Sequence, residues 1–146
     1  MPALTLAQAA LIVDKALEHG RARKLKPLAV AVLDAGGHLV AFKREDHASL
    51  LRPQIAQGKA WSVLGMGFGG REFERRAKTG PLFLTALMAA SEGRIIPVPG
   101  GVLIREESGT IIGAVGITGD TSDNDEACAV FGVNAAGLTP DTGEAR

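Results

Sequence analysis

The sequence predicts one α+β domain, an antiparallel sheet with helices packed on its faces. Three observations point there. Two uncharged apolar runs, Leu28–Leu33 and Thr110–Thr118, are short and rich in β-branched residues, which marks strands covered on both faces. Strong turn signals adjoin them, Asp34-Ala-Gly-Gly37 and Ser108-Gly109, so each run belongs to a hairpin. Segments of helical periodicity flank the hairpins, and apolar strands need helices to cover them.

The elements follow in order. Thr5 and Gln8 form a capping box, and Leu6, Ala9, Ala10, Val13, Ala16 and Leu17 recur at helical spacing behind it. Gly20 is placed to end this first helix in the left-handed conformation. Leu11 breaks the polar stripe and is read as a surface leucine or part of a subunit contact. Leu28–Leu33 and His38–Arg44 make the first hairpin. After a loop from Asp46 to Ser49, a helix begins near Pro53, which suits a first turn, and runs to the glycines at 65, 67, 69 and 70. Arg71–Lys78 and Leu82–Ser91 are two further helices, separated by Thr79-Gly80-Pro81. Ile95–Val98 reads as an edge strand because it holds Pro97. Val102–Glu107 and Thr110–Thr118 form the second hairpin, where Gly113 and Gly116 imply close backbone approach. A last helix follows Asp123 and ends near Gly137. Residues 139–146 read as a polar, frayed tail.

The chain has 146 residues, enough to bury one core without staples, and is read as one domain over 1–146. Sixteen Lys and Arg balance sixteen Asp and Glu, and no basic stripe recurs with aromatics, which argues against nucleic-acid binding. The cluster Arg21, Arg23, Lys24, Lys26 reads as the solvated end of a helix. The single cysteine, Cys128, excludes an internal disulfide and a cysteine-based zinc site within one chain. No HxH or HExxH spacing occurs, so no metal site is expected from neighbouring residues. No run reaches the ~18 apolar residues of a membrane span, and no signal peptide opens the chain. The expectation is a soluble, cytoplasmic protein.

Taken together, Thr5-Leu6, VLDAGGHLVAFKRED (32–46), IAQGKAW (55–61), PGGVLI (99–104), GTIIGAVGITG (109–119) and DNDEACA (123–129) resemble the GlcG/HbpS-like group. These are haem-binding proteins also found as the C-terminal domain of PduO-type proteins. The resemblance implies a five-stranded antiparallel sheet flanked by helices, like profilin and PAS-like sensor domains. It also implies a homo-oligomer, and haem or a related tetrapyrrole as ligand. Two departures stand out. The group's common Arg-Met-Asp-Gly is Arg44-Glu45-Asp46-His47 here, and the piece often read as Ser-Gly-Gly is Thr118-Gly119-Asp120.

The candidate site residues lie at loops. His47, with Asp46 beside it, suits a general base, a metal ligand or a haem ligand. Arg44 and Lys59 are the cations placed to meet an anionic ligand, and Gly100 and Gly101 can bring backbone N–H groups to a carboxylate. Asp120 directly follows a central strand, ahead of any helix cap, and is expected to face a ligand pocket or subunit boundary. Asp123 and Asp125 are expected to serve the helix start, with Ser122 or Asp123 as its cap. Crowded with Glu126, these acids call for a counter-charge from a metal, a Lys or Arg, or a cationic ligand. Three functions stay open. One is a small-molecule-binding oligomer. The second is a small enzyme moving a proton on a carboxylated metabolite through His47 or Asp46, with Arg44 holding the carboxylate. The third is a non-catalytic accessory subunit of a catabolic operon.

Overall fold

The computed structural model describes residues 3–144. Its elements are α1 (Leu6–Ala22), β1 (Ala29–Asp34), β2 (Leu39–Arg44), α2 (Arg52–Met66), α3 (Gly70–Thr79), α4 (Pro81–Ala90), β3 (Gly101–Arg105), β4 (Ile111–Thr118), α5 (Ser122–Ala135) and β5 (Thr139–Asp141). The strands form one antiparallel sheet in the order β2-β1-β4-β3-β5. Both predicted hairpins are present, and the two uncharged strands, β1 and β4, lie side by side at the centre.

Side-chain alternation sorts the two faces. Val30, Val32, Val115 and Ile117 pack with Ile12, Val13, Cys128 and Val133 beneath α1 and α5. The opposite face carries small residues, and α2 lies on it: Ala29 and Ala31 meet Ala56, while Ala114 meets Ala60 and Val63. Gly116 has no room for a side chain at all, since a Cβ there would lie 2.0 Å from the Ala56 carbonyl oxygen. The contrast in residue size brings α2 close against the sheet. It also explains why a strand interior tolerates glycine.

Three expectations are corrected. Ile95–Val98 is not a strand: Ile96 N donates to Ser62 Oγ at 2.8 Å and Val98 N to the Ile96 carbonyl. This segment therefore bonds to α2 and to itself. The fifth strand comes instead from the segment read as a frayed tail, where Thr139, Pro140 and Asp141 pair with Arg105, Ile104 and Leu103. Arg105 Nε fastens it to Asp141 Oδ2 at 3.0 Å. Proline suits an edge strand for the reason once given for Pro97. Residues 145 and 146 of that tail lie outside the described residues. Finally, Gly20 does not end α1. The helix continues to Ala22, and Lys24, with φ of 56°, takes the left-handed position. Gly20 is buried, and a Cβ there would come within 2.7 Å of Leu28 Cδ1.

Gly116→Ala should lower the urea midpoint sharply, with a loss of about 1–3 kcal/mol or more from overpacking against main chain. Gly65→Ala, at an exposed position of α2 with open space around it, should raise stability by about 0.5–1 kcal/mol.

Candidate functional site

The end of β2 and the end of α1 meet at one edge of the sheet. There Arg21, Pro27, Arg44, Glu45, Asp46 and His47 line an open cleft of 460 Å³. Glu45 organises it. One carboxylate oxygen accepts from Leu28 N at 2.8 Å, and the other meets Arg21 Nε at 2.7 Å. Arg21 also donates to the Leu25 and Lys26 carbonyls, so the loop from α1 to β1 is drawn around the guanidinium. Arg44 Nη1 donates to the Ala48 carbonyl at 2.8 Å, bracing the loop that carries Asp46 and His47. The basic cluster at the end of α1 is thus more than a solvated helix end. Sequence reasoning did not join Arg21, Pro27 and Glu45 to the cleft, and the only signal for the Arg21–Glu45 pair was a charge pattern split between two elements.

His47 sits in the left-handed region with φ of 72°, where a residue with a Cβ is strained by about 1–2 kcal/mol. The group pattern has glycine at this position, which suits that backbone without strain. Here an imidazole is held there, exposed, at the cleft wall.

Three of the predicted residues, Arg44, Asp46 and His47, are therefore brought together. The others lie elsewhere. Lys59 is only 3 % exposed and Asp125 1 %. Lys59 Nζ donates to the Ile117 carbonyl at 2.9 Å and meets Asp125 Oδ2 at 3.4 Å. Burial pulls the Lys59 ammonium below its ordinary pKa and pushes the Asp125 carboxyl above its own, while their mutual attraction opposes both shifts. Gly100, with φ of 114°, and Gly101 admit this lysine. A Cβ on Gly100 would lie 2.8 Å from Lys59 Nζ, and one on Gly101 would lie 2.5 Å from the Lys59 carbonyl oxygen. The glycine turn is shaped by close packing around a buried ammonium, away from the cleft.

The acidic stretch finds its counter-charges within the chain. Arg71 of α3 donates to Asp123 at 2.7 Å and to both oxygens of Glu126 at 2.9 and 3.0 Å, while Asp125 is taken by Lys59. The cap of α5 is Thr121, which accepts from Asn124 N, and neither Ser122 nor Asp123 fills that role. Asp120 accepts from Lys26 N at 3.0 Å, Thr121 N at 2.8 Å and Asn124 Nδ2 at 2.7 Å. These donors hold its carboxyl down at about 2. It fixes the residue next to Pro27, behind the cleft wall. Among the described residues no group of His, Cys, Asp and Glu is arranged to hold a metal ion.

A five-stranded antiparallel sheet with helices on both faces and a cleft at one edge places the protein in the α+β class. The sequence profile described as haem degrading protein HbpS-like matches residues 4–134, and the chain belongs to that family. Corrinoid adenosyltransferase PduO of Citrobacter freundii is 27% identical over 106 residues, which is 72% of this chain and 31% of PduO. The chain thus spans under a third of that relative's length. The crystal structure of a PduOC:heme complex superposes with a TM-score of 0.85 at 24% identity, covering 98% of this chain and 100% of the other. Klebsiella pneumoniae protein ORFY superposes with a TM-score of 0.82 at 27% identity, covering 92% and 90%. No helix among the described residues is long and apolar enough to cross a membrane.

Two outcomes follow from the buried and clamped acids. Asp125→Ala strands a buried ammonium and should lower stability by about 3–5 kcal/mol, whereas Asp125→Leu combined with Lys59→Met should recover most of the loss; urea unfolding of the three proteins checks this. Asp120 titrates at about 2 in the fold against an ordinary 3.8, so its contribution is complete above pH ~4 and is lost as the pH falls towards 2. Asp120→Asn should flatten the acid limb of the stability–pH curve.

Proposed function

We propose that the protein binds haem or a related tetrapyrrole in the cleft at the end of β2, within a homo-oligomer. The observation that carries this reading is the imidazole of His47, held in a strained backbone at the wall of a cleft flanked by the Arg21 and Arg44 guanidiniums. Backbone strain is retained where the surrounding structure or a function requires it, and an imidazole is an ordinary axial ligand for haem iron. The family and the haem-bound relative support the ligand class.

The donor set fits such a ligand. The cleft volume lies within the range of roughly 300–1,000 Å³ common for small-molecule sites. Arg44 can meet a carboxylate directly. Arg21 can do so in exchange for Glu45, its present partner. Glu45 and Asp46 oppose further negative charge, so they set where the anionic edge of the ligand lies. Haem, once bound, supplies a redox-active iron, while the chain orients it and offers His47. The cleft is open, and its His47 and Asp46 are exposed. A second subunit is the natural cover for the outer face of a flat ligand. The proton-transfer reading draws less support, because in an open cleft a base stays in contact with water.

The decisive variant is His47→Gly. It should raise stability by about 1–2 kcal/mol by relieving the left-handed strain and at the same time shift or abolish the Soret band of the haem-reconstituted protein. An unchanged spectrum and affinity would exclude His47 as the ligand. Arg44→Ala should weaken haem binding while leaving the band position in place.

A further inference from the structure

Helix α4, Pro81–Ala90, is apolar on every side and yet lies mostly in the open. The chain carries no charge from Thr79 to Ser91. Leu84 is the helix's one buried side chain, anchoring it beside Phe73 and Ile95. Leu82 is 84 % exposed, and Phe83 and Met88 stand out as well. A helix that is hydrophobic all round is normally a covered helix, and contiguous exposed apolar surface marks an interaction site.

We infer that α4 is covered by α4 of a second copy of this chain, the two helices crossing antiparallel about a twofold axis. The inference rests on the oligomer of the proposed function and names its surface. Three features make the helix self-complementary, as a twofold contact requires. The first is shape. The stripe facing away from Leu84 runs Leu82, Ala86, Ala89, at the i, i+4, i+7 spacing of one helix face. It has a large residue at one end and small ones at the other. An antiparallel pair centred between Thr85 and Ala86 sets each Leu82 against Ala89 of the partner subunit, a knob into a hole, twice.

The second feature is polarity. Thr85 is the only hydroxyl on the helix, and it donates to the Pro81 carbonyl at 3.2 Å. The contact therefore leaves no polar side chain of α4 unsatisfied. The third is charge. Lys78 lies just before the helix and Glu92 just after it; both are exposed. Neither has an ion-pair partner among the described residues. Antiparallel crossing in this register brings Lys78 beside Glu92 of the partner subunit at both ends. A parallel arrangement would set like charges together. Neighbouring Arg76 and Arg94 are engaged within the chain, Arg76 over the Phe68 and Phe83 rings and Arg94 over the Trp61 ring.

The test is light scattering coupled to size exclusion, with circular dichroism to confirm the fold. Because Leu82, Lys78 and Glu92 are exposed, their replacement spares the core. Leu82→Glu should reduce the native mass by half or more. Lys78→Glu and Glu92→Lys should each raise the dissociation constant about tenfold, and combining them should restore it to within about threefold of the native value. A monomeric native protein would sink both the oligomer and this surface. A native oligomer indifferent to Leu82→Glu, or charge swaps that fail to compensate, would overturn the α4 contact alone and leave the oligomer standing.

Discussion

The ion pair of Lys59 and Asp125 is the constraint on which much of the rest is hung. It lies between α2, β4, α5 and the glycine turn ahead of β3, and touches all four. Lys59 hydrogen-bonds the last core residue of β4, Asp125 opens α5, and Asp125 Oδ1 also accepts from Asp120 N. Two desolvated charges are a poor source of net stability. They are an effective source of uniqueness, since neither can be left alone in the interior. The start of α5, the end of β4 and the rotation of α2 are thereby set relative to one another. Gly100 and Gly101 follow from the same constraint, because any side chain there would fill the space of the ammonium or of its own main chain.

The cleft inherits its shape from this framework. Asp120, positioned by Asp125, grips Lys26 N and so fixes the loop leading into β1. Glu45 and Arg21 close the same loop from the other side. A polar cleft at the end of a sheet is thus held by main-chain amides and two ion-paired side chains, with His47 left unrelaxed on its wall. This separates the carboxylates that build the cleft, Glu45 and Asp120, from Arg44, Asp46 and His47, which stand exposed at its wall.

The two faces of the sheet show how composition becomes geometry. Valine and isoleucine on one face pack against the side chains of α1 and α5. Alanine and glycine on the other let α2 approach until backbone meets backbone. That close approach is what brings Lys59, in mid-helix, within reach of the Ile117 carbonyl. The edges differ as well: β5 is short and holds a proline, a blunted edge, whereas β2 is six residues long and tied back to α1 by Lys43 and Asp14.

The sequence by itself determined most of the local elements, the two hairpins and the central position of β1 and β4. These rest on periodicity, turn chemistry and capping, which act over a few residues. It also kept Arg44, Asp46 and His47 together, because they lie within four residues at the end of β2 and stay together wherever that strand end goes. Only the tertiary structure decided what depends on partners far along the chain. By local pattern the apolar, proline-containing segment 95–98 fits an edge strand better than the polar Thr139-Pro140-Asp141; the place went to the segment that could reach β3, while Ile96 N found Ser62. The acids after β4 looked like a helix cap or a ligand site because their counter-charges, Lys59 and Arg71, lie more than 50 residues away. Lys59 looked free to meet an anionic ligand for the same reason: whether a lysine on a helix faces a cleft or a buried carboxylate is fixed by what packs against that helix, and no local pattern records it.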